Sequence, residues 1–228
     1  MVGDSCGSIF WFTREVPVLS SVIDFGIPGL RVDQGDHICA FYQSPAERND
    51  VLIPFLRAGL SAGDKCVCIV DVDDLDTVAG DLGADLGEER AQVEHQLDVL
   101  TVERACQPAG AFGPDVMLGF WDETVNAALG AGGFSFVRGA GDMTWATREG
   151  PRLVDQVLVF ESMLNRFLPL YPQVMLCLYD IARFSGETIV DAVKTHPKIL
   201  LQGAIVENPD YIEPDEFLAV HSGGESCH

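Results

Sequence analysis

The sequence alternates between short apolar runs and longer amphipathic stretches, and this alternation constrains the fold more than any other feature. Short apolar runs bounded by turn residues are typical of buried strands, whereas the stretches between them have helical spacing. Strands separated by helices of about 10 to 20 residues are typical of a parallel sheet. The sequence therefore predicts an α/β fold, with a mostly parallel sheet and helices on both faces.

Six apolar runs are predicted as strands, and the segments between them as helices. The predicted strands cover residues 37–42, 65–71, 97–102, 134–138, 174–179 and 198–206. The predicted helices cover residues 46–62, 75–92 with a break near 83–87, 114–129, 151–167 and 187–194. Residues 1–30 and 213–228 do not follow this rhythm. We therefore predict an N-terminal extension over 1–30, one domain over 31–212 and a flexible tail over 213–228.

The charge and cysteine content exclude several classes of protein. The formal net charge is −21, from 35 acidic and 14 basic residues, so the surface is unsuited to nucleic-acid backbones and anionic membranes. No apolar run approaches the roughly 20 residues of a membrane helix, and the N-terminus does not resemble a signal peptide. Seven scattered cysteines argue against a disulfide framework. These features predict a cytoplasmic protein without direct nucleic-acid or membrane binding.

Common catalytic signatures are missing from the sequence. The phosphate-binding pattern G-x-x-x-x-G-K-[ST] does not occur, and residues 37–52 contain neither glycine nor lysine. The G-x-S-x-G and H-E-x-x-H patterns are missing as well. We therefore predict that the chain is not an enzyme. A Cys–His pair such as Cys39 with His196 stays open, because such partners meet only in space.

Charged and aromatic residues follow several of the predicted strands. Ligands of open parallel sheets bind beyond the carboxyl ends of the strands, so these side chains are expected to line one pocket. Glu161 lies on the inner stripe of the helix predicted over residues 151–167. Because an unpaired buried charge is costly, we expect Glu161 to pair with Arg138 or Arg183. The residues predicted to bind a small organic ligand are His37, Cys39, Tyr42, Glu47, Arg48, Arg138, Asp142, Trp145, Glu161, Tyr179, Asp180, Arg183 and Phe184.

Histidine and cysteine positions in the strands leave an alternative open. His37 and Cys39 share one face of the first predicted strand, and Cys177 lies in the fifth. Buried free cysteine usually packs as a small hydrophobe, so we predict no cofactor and no metal. A metal- or haem-binding redox or enzymatic protein that uses these three residues is the alternative. A ligand-independent interaction module is a third interpretation.

Several blocks in fixed order resemble the MEDS domain, the sensory domain of methanogen and methylotroph regulators. The blocks are GDHICAFY, the pair Glu47–Arg48, PFLRAGLSAGDKCVCIVD, GAFGPDVML, RGAGDMTWA, FESMLN, LCLYDIARFSG and THPKILLQG, within residues 35–211. The resemblance implies a RecA-like three-layer core in which HICAFYQSPAER replaces the nucleotide loop. It also implies a sensor of small organic molecules. Because we identify no output domain, we expect signalling through a partner such as a kinase, an anti-sigma factor or a DNA-binding protein.

Overall fold

The computed structural model describes residues 22–83, 95–106, 111–148 and 150–221. The strands are β1 (Ile23–Asp24), β2 (Arg31–Val32), β3 (His37–Tyr42), β4 (Lys65–Ile69), β5 (Leu97–Leu100), β6 (Val137–Asp142), β7 (Gln173–Asp180), β8 (Lys198–Leu201) and β9 (Ala204–Glu207). A seven-stranded sheet forms the centre, in the order β5, β4, β6, β7, β3, β8 and β9. All its neighbouring strands are parallel except β9, which runs antiparallel to β8. A separate two-stranded antiparallel ribbon, β1 and β2, precedes the sheet in the chain.

Helices cover both faces of the sheet and form two apolar cores. The helices are α1 (Pro45–Ala62), α2 (Leu75–Gly83), α3 (Val102–Ala105), α4 (Pro114–Leu129), α5 (Pro151–Phe167), α6 (Gly186–Thr195) and α7 (Pro214–His221). One core holds α1, α2 and the β1–β2 ribbon against one face, and the other holds α4, α5, α6 and α7 against the opposite face. The predicted mostly parallel α/β sheet with helices on both faces is thereby confirmed.

Local sequence signals explain where the first long helix begins and ends. Ser44 is extended and its hydroxyl accepts the backbone N–H of Glu47, while Pro45 occupies the first helical position without losing a hydrogen bond. Gly63 ends the helix in the left-handed conformation, at φ 81°. The same logic places Pro114 and Pro151 at the starts of α4 and α5, which match the predicted bounds.

The predicted fourth strand was misplaced by several residues. Residues 134–138 were predicted, whereas β6 covers Val137–Asp142. The glycines at 139 and 141 lower strand propensity and therefore concealed the strand. At Gly139 a Cβ would lie 2.6 Å from Met175 and 3.2 Å from Trp121, so the missing side chain lets its neighbours approach.

The sixth predicted strand is a hairpin rather than one strand. The chain reverses between β8 and β9, with Leu201 opposite Ala204. Gln202 and Gly203 form the turn at φ 49° and 76°, and two positive φ values are typical of the tight turns that match the twist of paired strands. An apolar run of nine residues therefore concealed a two-residue loop.

Both predicted terminal segments contain residues that pack on the domain. Phe25, within the predicted extension, is fully buried and its ring lies 5.1 Å from that of Phe55. Phe217, within the predicted flexible tail, is 2% exposed and lies on α7, which packs against α5. Residues 1–21 and 222–228, as well as most of the predicted helical break near 83–87, lie outside the described residues. Among the described helices, none combines the length and the apolar character of a bilayer-crossing segment.

Candidate functional site

The residues predicted to line one pocket lie on opposite faces of the sheet. Side chains alternate along a strand, and the parallel register sets Cys39 beside Cys177 and Tyr42 beside Asp180. His37 belongs with Cys39 on the face covered by α5, whereas Tyr42 belongs to the face covered by α1. Several of the candidate residues therefore belong to two separate clusters, one on each face of the sheet, and residue parity separates the cluster members that lie on one strand.

The first cluster, the Arg48 network, consists of Tyr42, Arg48, Asp74 and Asp142 at the carboxyl edge beside α1. Asp142 is fully buried and accepts the Tyr42 hydroxyl at 2.8 Å and the Arg48 guanidinium at 3.0 Å. Arg48 also pairs with Asp74 at 2.7 Å. Burial and the neighbouring Asp142 carboxylate raise the pKa of Tyr42, which keeps its hydroxyl protonated.

The Arg48 network is largely satisfied from within. The second oxygen of Asp142 accepts the backbone N–H of Thr144 at 3.0 Å and its hydroxyl at 2.8 Å. One guanidinium nitrogen of Arg48, Nη2, is buried and finds no hydrogen-bond partner among the described residues. Both carboxylate oxygens of Asp142 thus accept hydrogen bonds within the protein, whereas Nη2 of Arg48 has no acceptor among the described residues.

The second cluster, the His–Glu–Cys cluster, consists of His37, Glu161, Cys177 and His196 on the opposite face. All four side chains are at most 1% exposed, and one potential ligand atom from each lies within 4.8 Å of the others. Oε2 of Glu161 lies 3.0 Å from Nε2 of His37, 3.2 Å from Sγ of Cys177 and 3.5 Å from Nε2 of His196. The imidazole Nε2 of His37 lies 3.4 Å from the same sulfur.

Neighbouring groups fix the orientation of both imidazoles. The side-chain nitrogen of Asn165 donates to the carbonyl of Thr195 at 2.7 Å, so its oxygen faces Nδ1 of His37 at 2.9 Å. Nδ1 of His196 lies 2.7 Å from the carbonyl of Ala192. Because an amide or carbonyl oxygen only accepts, both Nδ1 atoms carry hydrogen, and Nε2 of each ring faces the cluster.

Electrostatics favour an ionised carboxylate in the His–Glu–Cys cluster. Burial raises the pKa of Glu161, but His196 and His37 outweigh burial and hold this pKa well below its usual range. Burial, followed by the charge of His196, lowers the pKa of His37. Burial and then the Glu161 carboxylate raise the pKa of Cys177. The hydroxyl of Tyr179 donates to the other oxygen of Glu161 at 2.8 Å.

The predicted partners of Glu161 were wrong. Arg138 lies near the start of β6, far from the carboxyl edge, because the true strand begins at Val137. Its guanidinium pairs with Asp64 at 2.8 Å and donates to the carbonyl of Asp24 at 2.8 Å. Arg183 lies 3.8 Å from Asp180 and is half-exposed. Arg138 thus connects the β1–β2 ribbon to the sheet through the carbonyl of Asp24. The partners of Glu161 are the histidines His37 and His196 instead of an arginine.

The remaining predicted residues have separate local roles. Glu47 is exposed and accepts the backbone N–H of Gln43 at 2.8 Å, which supports the start of α1. Asp180 accepts the backbone N–H of Ala182 at 2.8 Å in the turn after β7. Trp145 packs against Phe112 with ring centroids 5.0 Å apart. Cys39 is fully buried, and its thiol is not among the four converging ligand atoms.

A groove of about 1070 Å³ opens at the carboxyl edge between the N-terminal halves of α5 and α6. Arg183 and Phe184, both predicted site residues, form part of its wall. The ring of Phe184 lies 5.2 Å from that of Tyr179, so the groove is one aromatic ring away from the His–Glu–Cys cluster. The groove is also lined by Pro114, Thr147, Gly150, Pro151, Arg152, Val154, Asp155, Gln156, Leu158, Val159, Ser185, Glu187, Thr188, Asp191 and His221.

Comparison with known proteins connects this architecture to a family. The chain is similar in fold to a KaiC-like protein of Pyrococcus horikoshii, with a TM-score of 0.54 and 15% identity over 78% of this chain and 79% of the other. The likeness agrees with the predicted RecA-like core. The chain is also 30% identical over 186 residues to the transcriptional repressor DcmR of Methylorubrum extorquens, covering 75% of this chain. It spans 61% of the length of that relative.

A sequence model of one family matches most of the described core. The family is MEDS, the methanogen/methylotroph, DcmR sensory domain, and the match covers residues 36–197. These residues include β3 through α6, the Arg48 network, the His–Glu–Cys cluster and most of the groove wall. The chain therefore belongs to the MEDS family of sensory domains.

Proposed function

We propose that this chain is a sensory module that binds a small organic molecule in the groove between α5 and α6 and signals through a partner protein. The groove itself is the observation that carries the proposal. Its volume of about 1070 Å³ is at the upper end of the range of small-molecule sites, and it lies at the sheet edge where parallel α/β folds bind ligands. Membership of a sensory family and the likeness to a repressor support the regulatory role.

The composition of the groove wall suits an organic molecule with polar groups. Phe184 is 7% exposed and offers an aromatic surface, while Arg183 is half-exposed and can reach a carboxylate or carbonyl. Asp155 and Glu187 provide acceptors on the two facing walls. Such a mixture of apolar and polar groups favours a ligand that is partly hydrocarbon and partly hydrogen-bonding.

The state of the thiols supports a binding role over nucleophilic catalysis. The five described cysteines are free and buried. Burial raises the pKa of Cys66 to about 12 and that of Cys106 to about 11, and it raises the pKa of the other three thiols as well. Protonated buried thiols are poor nucleophiles. We also propose a cytoplasmic location, because free thiols persist in a reducing compartment.

The two walls of the groove suggest how binding would be transmitted. Leu158 lies on α5 and Thr188 on α6, and both line the groove. A ligand that touches both helices would favour one spacing between them over another. A partner protein that contacts these helices would then respond to the shift in population, provided that the ligand has different affinities for the two states.

The proposal is tested by combining native mass spectrometry with a thermal-shift screen of small organic acids, amines and alcohols. We expect either a co-purified organic mass or a compound that raises Tm. Arg183→Ala should weaken binding of that compound about tenfold, because a charged hydrogen bond is lost. Arg166→Ala is the matched control, since the Arg166 and Arg183 side chains are 52% and 53% exposed but only Arg183 lines the groove.

Filling the groove gives a second, independent test. Asp155 is an exposed groove residue, and Asp155→Trp should block the ligand while leaving the cores intact. The proposal fails if no compound binds. It also fails if the compound binds the two groove variants as tightly as the Arg166→Ala control.

A further inference from the structure

Four buried side chains from four separate elements of the fold bring their ligand atoms together. His37 belongs to β3, Glu161 to α5 and Cys177 to β7, while His196 immediately follows α6. Imidazole, carboxylate and thiolate are the side chains that bind zinc and related ions. Buried titratable groups of this kind are rare without a partner that balances them, which makes the convergence informative.

The distances in the His–Glu–Cys cluster match those of a tetrahedral metal site. Ligands held about 2.0–2.3 Å from a central ion at tetrahedral angles lie roughly 3.2–3.6 Å from one another. The separations are 3.0 Å for His37 to Glu161, 3.2 Å for Cys177 to Glu161, 3.4 Å for His37 to Cys177 and 3.5 Å for His196 to Glu161. Four of the six separations therefore lie within a few tenths of an ångström of tetrahedral spacing, and the other two, from His196 to His37 and to Cys177, are at most 4.8 Å.

The surrounding hydrogen bonds orient each ligand as metal sites require. Asn165 accepts from Nδ1 of His37, and the Ala192 carbonyl accepts from Nδ1 of His196. The Tyr179 hydroxyl binds the outer oxygen of Glu161, which leaves Oε2 to face the cluster. Such outer partners fix the tautomer and the orientation of metal ligands.

One ligand atom provides a second, independent observation. Nε2 of His196 is buried, points into the cluster and makes no hydrogen bond to any described residue. The nearest carboxylate oxygen of Glu161 lies 3.5 Å away, at the outer limit of hydrogen-bond distance, and it offers no donor to the lone pair of a neutral Nε2. A buried nitrogen without a hydrogen-bond partner destabilises the fold, and a metal ion would use its lone pair.

We propose that His37, Glu161, Cys177 and His196 bind one divalent transition-metal ion of borderline softness, with Zn²⁺ as the ion to test. Binding would form the metal–sulfur bond, break the S–H bond of Cys177 and release that proton to solvent. The carboxylate and the thiolate then balance the two positive charges, and the two imidazoles stay neutral. A buried site without net charge has the lowest desolvation cost.

The geometry favours a single ion over haem. Four ligand atoms within 4.8 Å surround the space of one ion from several sides, whereas haem iron needs its equatorial plane free for the macrocycle. The proposed ion would cross-link the two central strands to α5 and to the loop after α6. This role is independent of the groove ligand, and the two proposals stand or fall separately.

Metal analysis of the full chain tests the proposal directly. The purified protein is stripped with a chelator, dialysed against Zn²⁺ alone and analysed by elemental mass spectrometry. We expect about one Zn²⁺ per chain, with release of the Cys177 proton and of any proton that Nε2 of His37 or His196 carries before binding. With Co²⁺ in place of Zn²⁺, we expect a thiolate-to-cobalt charge-transfer band and the visible spectrum of a tetrahedral site.

Two cysteine variants provide the matched comparison. Cys177 and Cys68 are both fully buried strand residues, but Cys68 lies in the core on the opposite face. Cys177→Ala should lower Zn²⁺ affinity at least tenfold and abolish the cobalt charge-transfer band, whereas Cys68→Ala should retain both. Circular dichroism checks that each variant is folded, and the wild-type cobalt spectrum remains decisive if Cys177→Ala does not fold.

Two results would overturn the metal proposal. One is a wild-type chain that takes up neither ion after reconstitution. The other is equal uptake by the two cysteine variants, because the ion would then be bound elsewhere. Cys6 and Cys227 are present in both variants, so adventitious binding by these residues cannot produce the expected difference.

Discussion

Replacing Asp142 by asparagine should destabilise the protein strongly, because Asp142 is a buried hydrogen-bond centre. The carboxylate is fully buried and accepts four hydrogen bonds, two from Thr144 and one each from Tyr42 and Arg48. An asparagine amide placed toward Arg48 would set a donor against a donor. Removing one partner of a buried ion pair costs about 3–5 kcal/mol. Asp74 still pairs with Arg48, so we expect a loss of about 3 kcal/mol in the free energy of unfolding.

A double-mutant cycle with Tyr42→Phe isolates one contact in this network. Tyr42→Phe removes a hydrogen bond to a charged group, which contributes about 1.5–3 kcal/mol. In the Asp142→Asn background the same change should cost less, because the acceptor has lost its charge. We expect a coupling free energy on the order of 1 kcal/mol. Urea unfolding followed by tryptophan fluorescence measures all four free energies, since Trp121 and Trp145 are buried.

A surface pair of the same chemistry serves as the control. Asp122 accepts the Tyr171 hydroxyl at 2.7 Å, close to the 2.8 Å between Tyr42 and Asp142, but this pair is exposed. Asp122→Asn should change the free energy of unfolding by less than about 0.5 kcal/mol. Equal effects of Asp142→Asn and Asp122→Asn would refute the argument that burial makes the Arg48 network structural.

Two further predictions concern packing and pH. Gly59→Ala should lower the free energy of unfolding in urea by about 1–3 kcal/mol, because the added Cβ would lie 2.6 Å from the buried Arg138 side chain. The control is Gly80→Ala on α2, where the added Cβ meets nothing within 4 Å, so the change should be neutral or slightly stabilising. Equal effects of the two substitutions would contradict the argument from packing. The pKa of Cys66 rises from 9.0 to about 12 on burial, so the unfolded chain loses its thiol proton first and stability should fall between about pH 9 and pH 12. Unfolding free energies that are level across this pH range would count against the buried, protonated thiol.

The strand and helix pattern was predictable because each element carries its own signal. The bounds of β3, α4 and α5 follow from an apolar run or from a proline at the helix start. The errors arose where long-range packing overrides local preference. Met175 and Trp121 occupy the space where a side chain of Gly139 would lie, which is why a glycine is accommodated in this strand. These two neighbours are distant in the chain, so no local sequence pattern reveals them.

The candidate site was less predictable because proximity in a sheet depends on strand order as well as on sequence. Tyr42 is the last residue of β3 and Tyr179 is the second-last residue of β7, yet side-chain alternation places them on opposite faces. Parity was available from the sequence and separates Tyr42 of the Arg48 network from His37 of the His–Glu–Cys cluster. The sequence could not show that Arg138 binds Asp64, since that contact depends on where β6 begins.

His196 marks the limit of what the sequence could establish about the buried cluster. Its Nε2 reaches Glu161 only because β8 pairs with β3, which places the loop after α6 beside His37 at a ring separation of 4.0 Å. That pairing depends on the strand order of the whole sheet. The same topology gives the cluster its physical significance, because the four residues are far apart in the chain and close together only in the folded state. A ligand common to all four would therefore stabilise the native fold, and the gain in free energy of unfolding would grow with the logarithm of its affinity, which is the behaviour expected of a metal coupled to folding.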